Sequence, residues 1–381
     1  MMYLEKLLDG VEVEWKTLGE VVSTVTAPVK LNKNTYGENG KTPVIDQGMN
    51  FIAGYTDQDL ATVKEGEYVI FGDHSEHIKY VDFSFIQGAD GLKILKSKEN
   101  NTKFIYYALN NFYRRENNYK RHWSSAKETL IPIPPLEIQQ KIVAILDSFT
   151  ELTTELTTEL TARKKQYAFY REQLFIFDDK NVNWFSLGEI ADVTKLAGYE
   201  FTEHIKYSDV GTIIALRGLN VKKGFLDLTS VKYIDESNFS KLNRSKLIIN
   251  DMLFTYVGTI GEVALVDCDN KYYLAPNVAR IRILDERVLP LFLRFYFQSY
   301  YFLEKQINRY LSSSSMKNLT MENIRKFKIP IPPIEEQKRI VSILDKFDTL
   351  TTSFSEGLPK EIELRKKQYE YYRDMLLSFP K

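Results

Sequence analysis

The stretch IPIPPLEIQQKIVAILDSF (131–149) returns as IPIPPIEEQKRIVSILDKF (329–347), 198 residues further along the chain. Proline fixes φ and disfavours helix in the residue before it, so each IPIPP predicts an extended segment, and its last proline (Pro135, Pro333) suits a helix start. A second matching pair, RKKQYAFYREQL (163–174) and RKKQYEYYRDML (365–376), follows the two copies. These matches predict a tandem duplication of one unit.

Fainter matches extend the duplication towards the start of each half. WKTLGEV (15–21) pairs with WFSLGEI (184–190), and GEYVIF (66–71) resembles NDMLFT (250–255). PVIDQGMNFIAGY (43–55) pairs with IIALRGLNVKKGF (213–225), which aligns Gly48 with Gly218, Asn50 with Asn220 and Gly54 with Gly224. Coincidence in β-rich sequence is the alternative. Short β-rich runs punctuated by Gly, Asn and Asp, each set followed by a helix-like stretch, predict a mixed α and β domain in each half.

Each IPIPP leads into a run whose apolar residues recur at threes and fours, as one face of a helix would. In the first copy these are Leu136, Ile142, Ile145, Phe149, Leu152, Leu156 and Leu160, and in the second Ile334, Ile340, Ile343, Phe347, Leu350, Phe354 and Leu358. No Gly or Pro interrupts 136–175, which predicts a rod of about 60 Å. EGLP (356–359) predicts a kink or short break in the second copy.

A long helix with one apolar stripe is not stable alone, so we expect the two to pair. A whole domain connects them, which favours an antiparallel pair; the alternative is that each packs on its own domain. The predicted fold class is therefore α+β: two mixed α/β domains separated by two long antiparallel helices in a coiled coil, with pseudo-twofold duplication. The predicted bounds are 1–135 and 181–333 for the domains, and 136–180 and 334–381 for the helices.

Composition limits the compartment and the chemistry. Fifty-one basic residues balance fifty-one acidic ones, so net charge neither indicates nor excludes a nucleic-acid partner, because local patches bind phosphates. The single cysteine, Cys268, cannot form an internal disulfide and fits a reducing, cytoplasmic compartment. The start lacks the pattern of a signal peptide, and no apolar run is long enough for a membrane span.

These motifs resemble those of the specificity subunits of Type I restriction-modification systems. The resemblance rests on IPIPP[LI]ExQx[KR]IVxILD in both copies and on LPKEIELRKKQYEYYRDMLL (358–377). In the second half it also rests on DMLFTYVGTIGEVALV (251–266), YYLAPNVARIRIL (272–284) and SSSSMKNLTMENIRKFKIPIPP (312–333). The first half departs from the pattern, with GDHSEH (72–77) where the second has GTIG.

The resemblance implies that the two domains are target recognition domains, each reading one half of a bipartite, double-stranded DNA site. It implies that the helices space the domains and dock two modification (methyltransferase) subunits, which two restriction subunits join for cleavage. It also implies a subunit without catalytic activity of its own, and we expect no cofactor.

The residues themselves contain neither a GxxxxGK[ST] phosphate loop nor a methyltransferase (N/D/S)PP(Y/F) element. Asp73, His74 and His77 have no further His or Cys pair to complete a metal site, so no metal is predicted. Two alternatives remain: an adaptor that forms a coiled coil without binding DNA, and an enzyme with a divergent nuclease or methyltransferase site.

Base contacts call for Arg, Lys, Asn, Gln, Ser or Thr on loops that a sheet holds. The DNA-binding candidates in the first domain are Lys33, Tyr36, Gln47, Asn50, Asp73, His74, Gln87, Arg114, Arg115, Lys120, Arg121, Ser124 and Ser125. Those in the second are Lys195, Tyr199, Arg217, Asn220, Tyr256, Thr259, Asn277, Arg280, Ser314, Ser315, Lys317 and Asn318. Gly258 and Gly261 are expected to form a tight loop among them.

The helices carry two further predictions. The repeated RKKQY faces are expected to bind two identical partner subunits through Arg163, Lys164, Lys165, Tyr167, Tyr170, Arg171, Arg365, Lys366, Lys367, Tyr369, Tyr372 and Arg373. The stretch TELTTELTTELT (150–161) repeats one four-residue word three times and keeps Leu152, Leu156 and Leu160 on the apolar stripe. We predict that the number of these TELT repeats sets the spacing between the two half-sites.

Overall fold

The computed structural model describes residues 7–177, 182–196, 203–311, 318–353 and 355–379. The chain divides into two compact units. Unit 1 comprises the described residues of 1–157 together with those of 361–381, and unit 2 those of 158–360. Each unit therefore contains one globular domain and segments from both halves of the duplication.

Unit 1 is mixed α/β. Its strands are β1 (Glu14–Thr17), β2 (Val22–Val25), β3 (Thr42–Ile45), β4 (Gly54–Thr56), β5 (Tyr68–Gly72), β6 (Ile78–Val81), β7 (Ile86–Gln87), β8 (Leu92–Ser97) and β9 (Leu130–Ile133). Its helices are α1 (Leu18–Val21), α2 (Thr102–Phe112) and α3 (Trp123–Ala126), and α4 (Leu136–Leu174) begins in it. The strands form sheets in the orders β2-β8-β5-β6, β4-β3-β7 and β1-β9.

Unit 2 repeats these elements in the same order along the chain and adds a few of its own. Its strands are β10 (Asn183–Ser186), β11 (Ala191–Lys195), β12 (Ile214–Leu216), β13 (Val221–Lys222), β14 (Phe225–Leu226), β15 (Lys232–Tyr233), β16 (Met252–Thr255), β17 (Val263–Leu265), β18 (Tyr272–Leu274), β19 (Val278–Ile283) and β20 (Lys328–Ile331). Its helices are α5 (Leu187–Ile190), α6 (Pro290–Phe297), a π-helical turn (Phe302–Ile307), α7 (Asn308–Tyr310), α8 (Met321–Arg325) and α9 (Ile334–Thr352). The last helix of the chain, α10 (Gly357–Leu376), starts at the end of this unit.

Sheet topology confirms the duplication. The sheets of unit 2 run β11-β19-β16-β17, β15-β12-β18 and β10-β20, which repeats the orders in unit 1 strand for strand. A parallel pair of strands, β3 with β7 in unit 1 and β12 with β18 in unit 2, also occupies the same place in both. One predicted alignment is wrong: Gly54 opens the strand that pairs with β3, whereas Gly224 lies in the β13–β14 hairpin, which unit 2 has as an insertion.

The extended IPIP segments form edge strands. Pro132 lies opposite Trp15 in the β1–β9 pair, and Pro330 lies opposite Trp184 in the β10–β20 pair. A strand with a neighbour on one side only tolerates a residue without an N–H. After each strand the second proline caps the helix, since the Pro135 carbonyl accepts from Ile138 and Pro333 is the residue that precedes α9. The proline pattern therefore predicted these strand-to-helix junctions to within one residue.

Helix α4 is continuous over 39 residues and includes the three TELT repeats. The threonine hydroxyls bond within the helix: Thr153 donates to the Phe149 carbonyl (2.8 Å) and Thr157 to that of Thr153 (2.7 Å). Leu152, Leu156 and Leu160 are partly buried, while Glu151, Glu155 and Glu159 are exposed. These threonine hydroxyls thus bond to carbonyls one turn earlier in the helix, and each repeat offers one leucine to the apolar stripe.

The second copy is broken, as EGLP predicted. Helix α9 ends at Thr352 and α10 begins at Gly357, whose φ of +79° is in the left-handed region. A Cβ at that glycine would stand 2.5 Å from the Thr349 carbonyl oxygen, so this turn requires glycine. The four residues that this copy has in excess therefore fall at a break and do not lengthen a continuous rod. Phe354, expected on the stripe, lies outside the described residues.

A buried glutamine fixes each long helix to the domain that precedes it. Gln139 donates to the Pro134 carbonyl (2.8 Å) and to Asn100 Oδ1 (2.9 Å), and its Oε1 accepts from the Asn101 N–H (3.0 Å). Asn101 is the residue that caps α2. One side chain therefore ties the start of α4 to the proline segment before it and to the start of the domain's own helix.

Gln337 makes the equivalent bonds in unit 2. It donates to the carbonyls of Pro332 (2.9 Å) and Arg287 (2.7 Å), and it accepts from the N–H of Leu289, the residue that caps α6. Both glutamines are buried. This gives the Gln of the repeated IPIPP[LI]ExQ motif a structural role in both copies.

Each unit also buries the carboxyl end of the other long helix. In unit 1 the core includes Leu376, Leu377 and Phe379 beside Ile142 and Leu146 of α4. In unit 2, Phe175, just beyond the end of α4, packs on Phe292 and Tyr296 with ring centroids 5.6 Å apart in both cases. Every unit thus holds the beginning of one helix and the end of the other. Among the described residues, no helix combines the length and the apolar character of a membrane span.

Replacing Gln139 with Leu should lower the free energy of unfolding by about 2–3 kcal/mol, because it leaves the Asn101 N–H and the Pro134 carbonyl buried without partners. Urea denaturation of the full chain, followed by circular dichroism, measures the change. Gln140→Leu is the matched control, since Gln140 is adjacent and exposed. Equal losses in the two variants would contradict the role assigned to Gln139.

Candidate DNA interface

Two predicted residues of unit 1 meet where β3 and β5 end. Gln47 donates from Nε2 to the Asp90 carbonyl (3.0 Å), and its Oε1 accepts from the His74 N–H (3.1 Å). Gly91, with φ +90°, makes room for both, because a Cβ there would stand 2.7 Å from Gln47 Nε2 and 2.9 Å from the His74 ring. The structure therefore brings Gln47 and His74 together on one tightly held corner.

His74 continues this corner into the segment that follows α2. Its Nδ1 lies 3.1 Å from the Lys120 carbonyl oxygen, and its ring stacks on Tyr119 with centroids 5.3 Å apart and planes 18° apart. Tyr119 is 90% exposed. The sequence prediction missed Tyr119, although an aromatic residue inside a basic run is the signal that would have found it.

Residues 114–121 form the most basic exposed segment of this corner, and we call them the basic loop. Arg114, Arg115 and Arg121 are exposed and make no ion pair with any residue that the structure describes. Lys120 pairs with Glu116 at 2.5 Å. Ser124 and Ser125 are exposed on α3, directly after the loop. Four cations and one carboxylate therefore face solvent here.

The buried side chain of Glu76 holds the basic loop in place. It is 3% exposed, and its carboxylate accepts from the Tyr113 hydroxyl (2.6 Å) and from the N–H groups of Glu116 and Asn117 (both 2.8 Å). Burial alone would raise the pKa of Glu76, but these three donors together hold it below its ordinary value. The sequence prediction passed over this residue in GDHSEH and selected its neighbours instead.

Three other candidates of unit 1 have side chains held by the fold. Asp73 is buried and its Oδ1 accepts from the Trp123 N–H at the start of α3 (2.8 Å). The Tyr36 hydroxyl accepts from the Ala89 N–H (2.8 Å), and burial raises its pKa. Gln87 is buried within β7. Lys33 and Asn50, by contrast, are exposed.

In unit 2 a cleft of about 500 Å³ brings Arg217, Thr259 and Asn277 together. Tyr207, Lys222 and Glu262 also line it, beside apolar Leu219, Val257 and Pro276. Two of its turns have left-handed backbone, at Asn277 (φ +70°) and Gly258 (φ +79°). A Cβ at Gly258 would meet nothing within 4 Å, whereas at Gly261 (φ +93°) it would stand 2.7 Å from Ile307, so only Gly261 lies at a close approach.

Arg217 is one of two cations that line this cleft, beside Lys222. Its Nη2 donates to the Ser230 carbonyl (3.1 Å), while its buried Nε has no hydrogen-bond partner among the described residues. Asn220, three residues after Arg217, is buried and donates to the carbonyls of Asp227 and Ser230 (both 2.9 Å). Arg217 therefore keeps a donor uncommitted, whereas Asn220 holds the loop in shape.

Lys195 and Tyr256 lie together beside the cleft. The Lys195 Nζ stands 6.0 Å from the centroid of the Tyr256 ring, and burial raises the pKa of Tyr256. Asn318 is exposed and forms a β-bridge with Val257. The remaining candidates Tyr199, Ser314, Ser315 and Lys317 lie outside the described residues.

Arg280 lies in the interior of unit 2 on β19. Its Nη2 donates to Asp192 Oδ2 (2.5 Å) and its Nη1 to the Arg244 carbonyl (2.9 Å). The side chain is buried, and its neighbours in β11 and β16 cover both sides of the strand. Sequence reasoning placed it on a loop beside Asn277, but β19 begins at Val278, so Arg280 is two residues inside a central strand.

The helical candidates divide into an inward group, which packs on rings of the other long segment, and an outward group; Tyr170 belongs to both, since it is 40% exposed. Tyr167 and Tyr170 stack on Phe347 (6.0 and 5.8 Å between centroids) within unit 2, and Tyr372 stacks on Phe149 (5.2 Å) within unit 1. Arg171 and Arg373 lie over the rings of Tyr167 and Tyr369. Lys164, Lys165, Lys366 and Lys367 are exposed.

The two RKKQY faces repeat in detail. Arg163 donates to Gln166 Oε1 and Arg365 to Gln368 Oε1, at 3.0 Å in both. Each face also exposes an aromatic residue that the sequence prediction missed, Phe169 (61% exposed) in the first and Tyr371 (52%) in the second. Their equivalent positions in the repeat were the available signal.

We also considered a metal site and a reactive cysteine. In the part of the chain that the structure describes, no three His, Cys, Asp or Glu side chains lie together as a metal site would require. Burial raises the pKa of the Cys268 thiol, which disfavours its reactive thiolate form.

Arg280→Ala should lower the free energy of unfolding by about 2 kcal/mol, since it removes a buried charge-assisted bond and leaves polar partners behind. Urea denaturation of the full chain is the measurement, with Lys222→Ala, an exposed cation of the cleft, as the control. An Arg280→Ala chain of unchanged stability that binds target DNA less tightly would instead support the original assignment of Arg280 to a DNA contact.

Comparison with known proteins agrees with the motifs and the fold. The sequence matches the Type I restriction modification DNA specificity domain twice, over residues 10–164 and 179–364. The Type I restriction enzyme EcoR124I/EcoR124II specificity subunit of Escherichia coli is 37% identical over 404 residues, which cover 100% of this chain and 98% of that protein. A putative type I restriction enzyme specificity subunit of Haemophilus influenzae is 33% identical over 400 residues, covering 99% and 98%.

Solved structures share the fold. A crystal structure of a Type I restriction-modification S subunit from M. genitalium superposes with a TM-score of 0.60 over 98% of both chains, at 16% identity. The HsdS subunit from Thermoanaerobacter tengcongensis gives a TM-score of 0.50 over 97% of both, at 15% identity. With two matches to the family's domain and full-length relatives above 30% identity, the chain belongs to the specificity subunits of Type I restriction-modification systems.

Proposed function

We propose that this chain is the DNA sequence-specificity subunit of a Type I restriction-modification complex, in which unit 1 binds one half of a bipartite site and unit 2 the other. The observation that carries the proposal is that two domains of one topology carry different exposed side chains on their loops. Two copies of a scaffold with unlike loops suit two unlike half-sites.

The two interfaces suit different contacts. In unit 2 the cleft presents Arg217, Thr259 and Asn277 together. Arg, Thr and Asn are residue types that contact base edges in the major groove. In unit 1, Gln47 and His74 sit beside the exposed cations of the basic loop, which suit phosphate oxygens. Phosphate contacts position a protein on the duplex, and base contacts select the sequence.

Recognition, and not catalysis, is the role proposed for this chain. Two modification subunits would transfer the methyl group, and two restriction subunits would join the complex for cleavage, all in the cytoplasm. The adaptor alternative requires that the complex show no salt-sensitive DNA binding, and the enzyme alternative requires activity from the purified chain alone.

The two long helices are proposed to run antiparallel as a coiled coil between the domains. Helix α4 begins in unit 1 and ends in unit 2, while α9 begins in unit 2 and the carboxyl end of α10 belongs to unit 1. Within the units, Phe149 meets Tyr372, and Phe347 meets Tyr167 and Tyr170. An early residue of each long segment thus contacts late residues of the other, as opposite directions require.

The repeated RKKQY faces are proposed to dock the two modification subunits. The inward tyrosines stabilise the helices, so the partner would contact the exposed lysines together with Phe169 in one copy and Tyr371 in the other. The same hydrogen bond and the same exposed aromatic position recur in both faces, which suits two identical partners. Aromatic side chains ringed by polar ones are typical anchors of protein interfaces.

The TELT repeats are proposed to set the unspecified spacer between the half-sites. Four residues lengthen a helix by about 6 Å and turn it by a net of about 40°. One base pair of B-DNA advances about 3.4 Å and turns by roughly 35°. One repeat more or fewer would therefore shift a domain by one or two base pairs while it still faces the groove.

Co-expressing the chain with a cognate modification subunit in a host that lacks other methyltransferases tests the function. We expect adenine methylation at a single bipartite motif across the host genome, mapped by sequencing that detects modified bases. The purified chain without its partner is the control and should methylate nothing. Methylation without a defined motif, or methylation by the chain alone, would contradict the proposal.

The same co-expression tests the docking faces by co-purification. A Phe169→Ser, Tyr371→Ser chain should retain the modification subunit poorly, because both exposed aromatic anchors are lost. Glu155→Ser, an exposed change on the same helix, is the control and should retain it fully. Full retention by the double variant would remove these residues from the interface and leave the function itself untouched.

Deleting Thr158–Thr161, one TELT repeat, should shorten the spacer of the methylated motif by one or two base pairs and leave both half-sites unchanged. Deleting only Thr158 and Glu159 is the control, since two residues turn the helix by about 200° and would direct one domain away from the groove. That control should lose methylation. An unchanged spacer in the four-residue deletion would show that the TELT repeats do not set its length.

A further inference from the structure

We propose that the basic loop of unit 1 is a clamp for the DNA phosphate backbone, and that the buried Glu76 is the residue that positions it. The inference rests on the proposed function, because it takes DNA as the ligand of unit 1. It assigns a role to a carboxylate that itself touches no DNA.

The charge of the loop identifies the kind of ligand. Residues 114–121 hold Arg114, Arg115, Lys120 and Arg121 against the single carboxylate of Glu116. Glu116 is occupied by Lys120, which leaves three exposed guanidinium groups without an ion pair among the described residues. A guanidinium presents a fork of donors that matches phosphate oxygens, and the loop exposes three of them within eight residues.

The loop has no regular structure of its own to hold these cations in place. Helix α2 ends at Phe112 and α3 starts at Trp123, so the intervening backbone lacks helical or sheet partners over the basic loop. Asn117 has φ +54°, in the left-handed region, which asparagine adopts more readily than most residues with a side chain. Without regular structure, the loop depends on contacts outside itself for a fixed conformation.

Glu76 supplies that fixed point. Its two carboxylate oxygens accept from the backbone N–H groups of Glu116 and Asn117, in the middle of the loop, and from the Tyr113 hydroxyl at its start. Glu76 itself has φ +56°, a conformation that costs free energy for a residue with a side chain. A buried carboxylate that accepts from two loop amides, on a backbone with positive φ, therefore holds the loop in one position.

His122 closes the far end of the clamp. It is fully buried, its Nε2 donates to the Asn118 carbonyl (2.9 Å), and its Nδ1 lies 3.4 Å from Glu76 and 3.8 Å from Glu116. Tyr119, at the tip, is held from the other side by its stack on His74. The loop is thus fixed at its start, middle and end before any DNA arrives, which lowers the entropic cost of binding.

Binding by the complex with its modification subunit tests the clamp, using a duplex with the mapped target and an unrelated duplex of equal length. Dissociation constants are measured between about 50 and 200 mM salt, where each lost phosphate contact reduces the slope of log K against log salt by about 0.9. Arg114→Ala combined with Arg115→Ala should reduce that slope by about 2 on both duplexes. An unchanged slope would overturn the phosphate role.

Glu76→Gln separates positioning from simple charge. This variant makes unit 1 more positive, so long-range attraction alone would tighten binding. Positioning predicts the opposite: binding to the target about 10-fold weaker, with a shallower salt slope, because the amide group cannot accept from all three donors. Glu128→Gln, the same change at an exposed site of the same unit, is the matched control and should bind no more weakly than the unaltered chain.

Tyr113→Phe provides the second variant if Glu76→Gln does not fold. It removes one donor to Glu76 and keeps the edge-to-face ring contact with Phe71 (5.4 Å). Its binding should weaken in the same direction by a smaller factor, with the unfolding midpoint reported alongside. Folded Glu76→Gln or Tyr113→Phe chains that bind as tightly as the unaltered chain would overturn the positioning role, whereas the methylated motif of the unaltered chain reports separately on the proposed function.

Discussion

The proposed relation between helix length and domain position depends on one buried glutamine near the start of each long helix. Gln139 and Gln337 bond at the same time to the proline segment before the helix and to the residue that caps the domain's own helix. A domain that could swivel at this junction would lose the relation between helix length and domain position. Leu377 and Phe175, at the carboxyl ends of the long helices, are also buried in the cores, so each unit fixes two helix ends and not one.

The two units show how one scaffold can read two sequences. The sheet orders agree strand for strand, yet at equivalent corners unit 1 presents Gln47, His74 and Tyr119, and unit 2 presents Arg217 and Asn277. Asn220 and Glu76 hold the loops in shape through bonds to the backbone, while neighbouring side chains face outward. Loop side chains can therefore change without loss of the scaffold, which is what a family of differing specificities requires.

The fold was predictable from sequence because its signals are local: prolines fix the strand-to-helix junctions, and apolar spacing marks the helices. The site was predictable only in part. Arg217 and Arg280 look alike in sequence, but one lines a cleft and the other is buried two residues inside β19, a difference that tertiary neighbours decide. Tyr119 and Phe169 could have been found from the basic run around the first and the repeat position of the second, but their exposure is decided by tertiary packing; Glu76 was missed because its partners lie about forty residues away.

We propose that a stiff helix, fixed at both ends, sets the distance between the two half-sites. The most direct test replaces Thr158–Thr161 by Gly-Gly-Ser-Gly, which keeps the number of residues and removes helix stability at about 1 kcal/mol per glycine. We expect methylation mapped across a genome to keep both half-sites but to spread over several spacer lengths. A single spacer length, methylated as completely as by the unaltered chain, would contradict it.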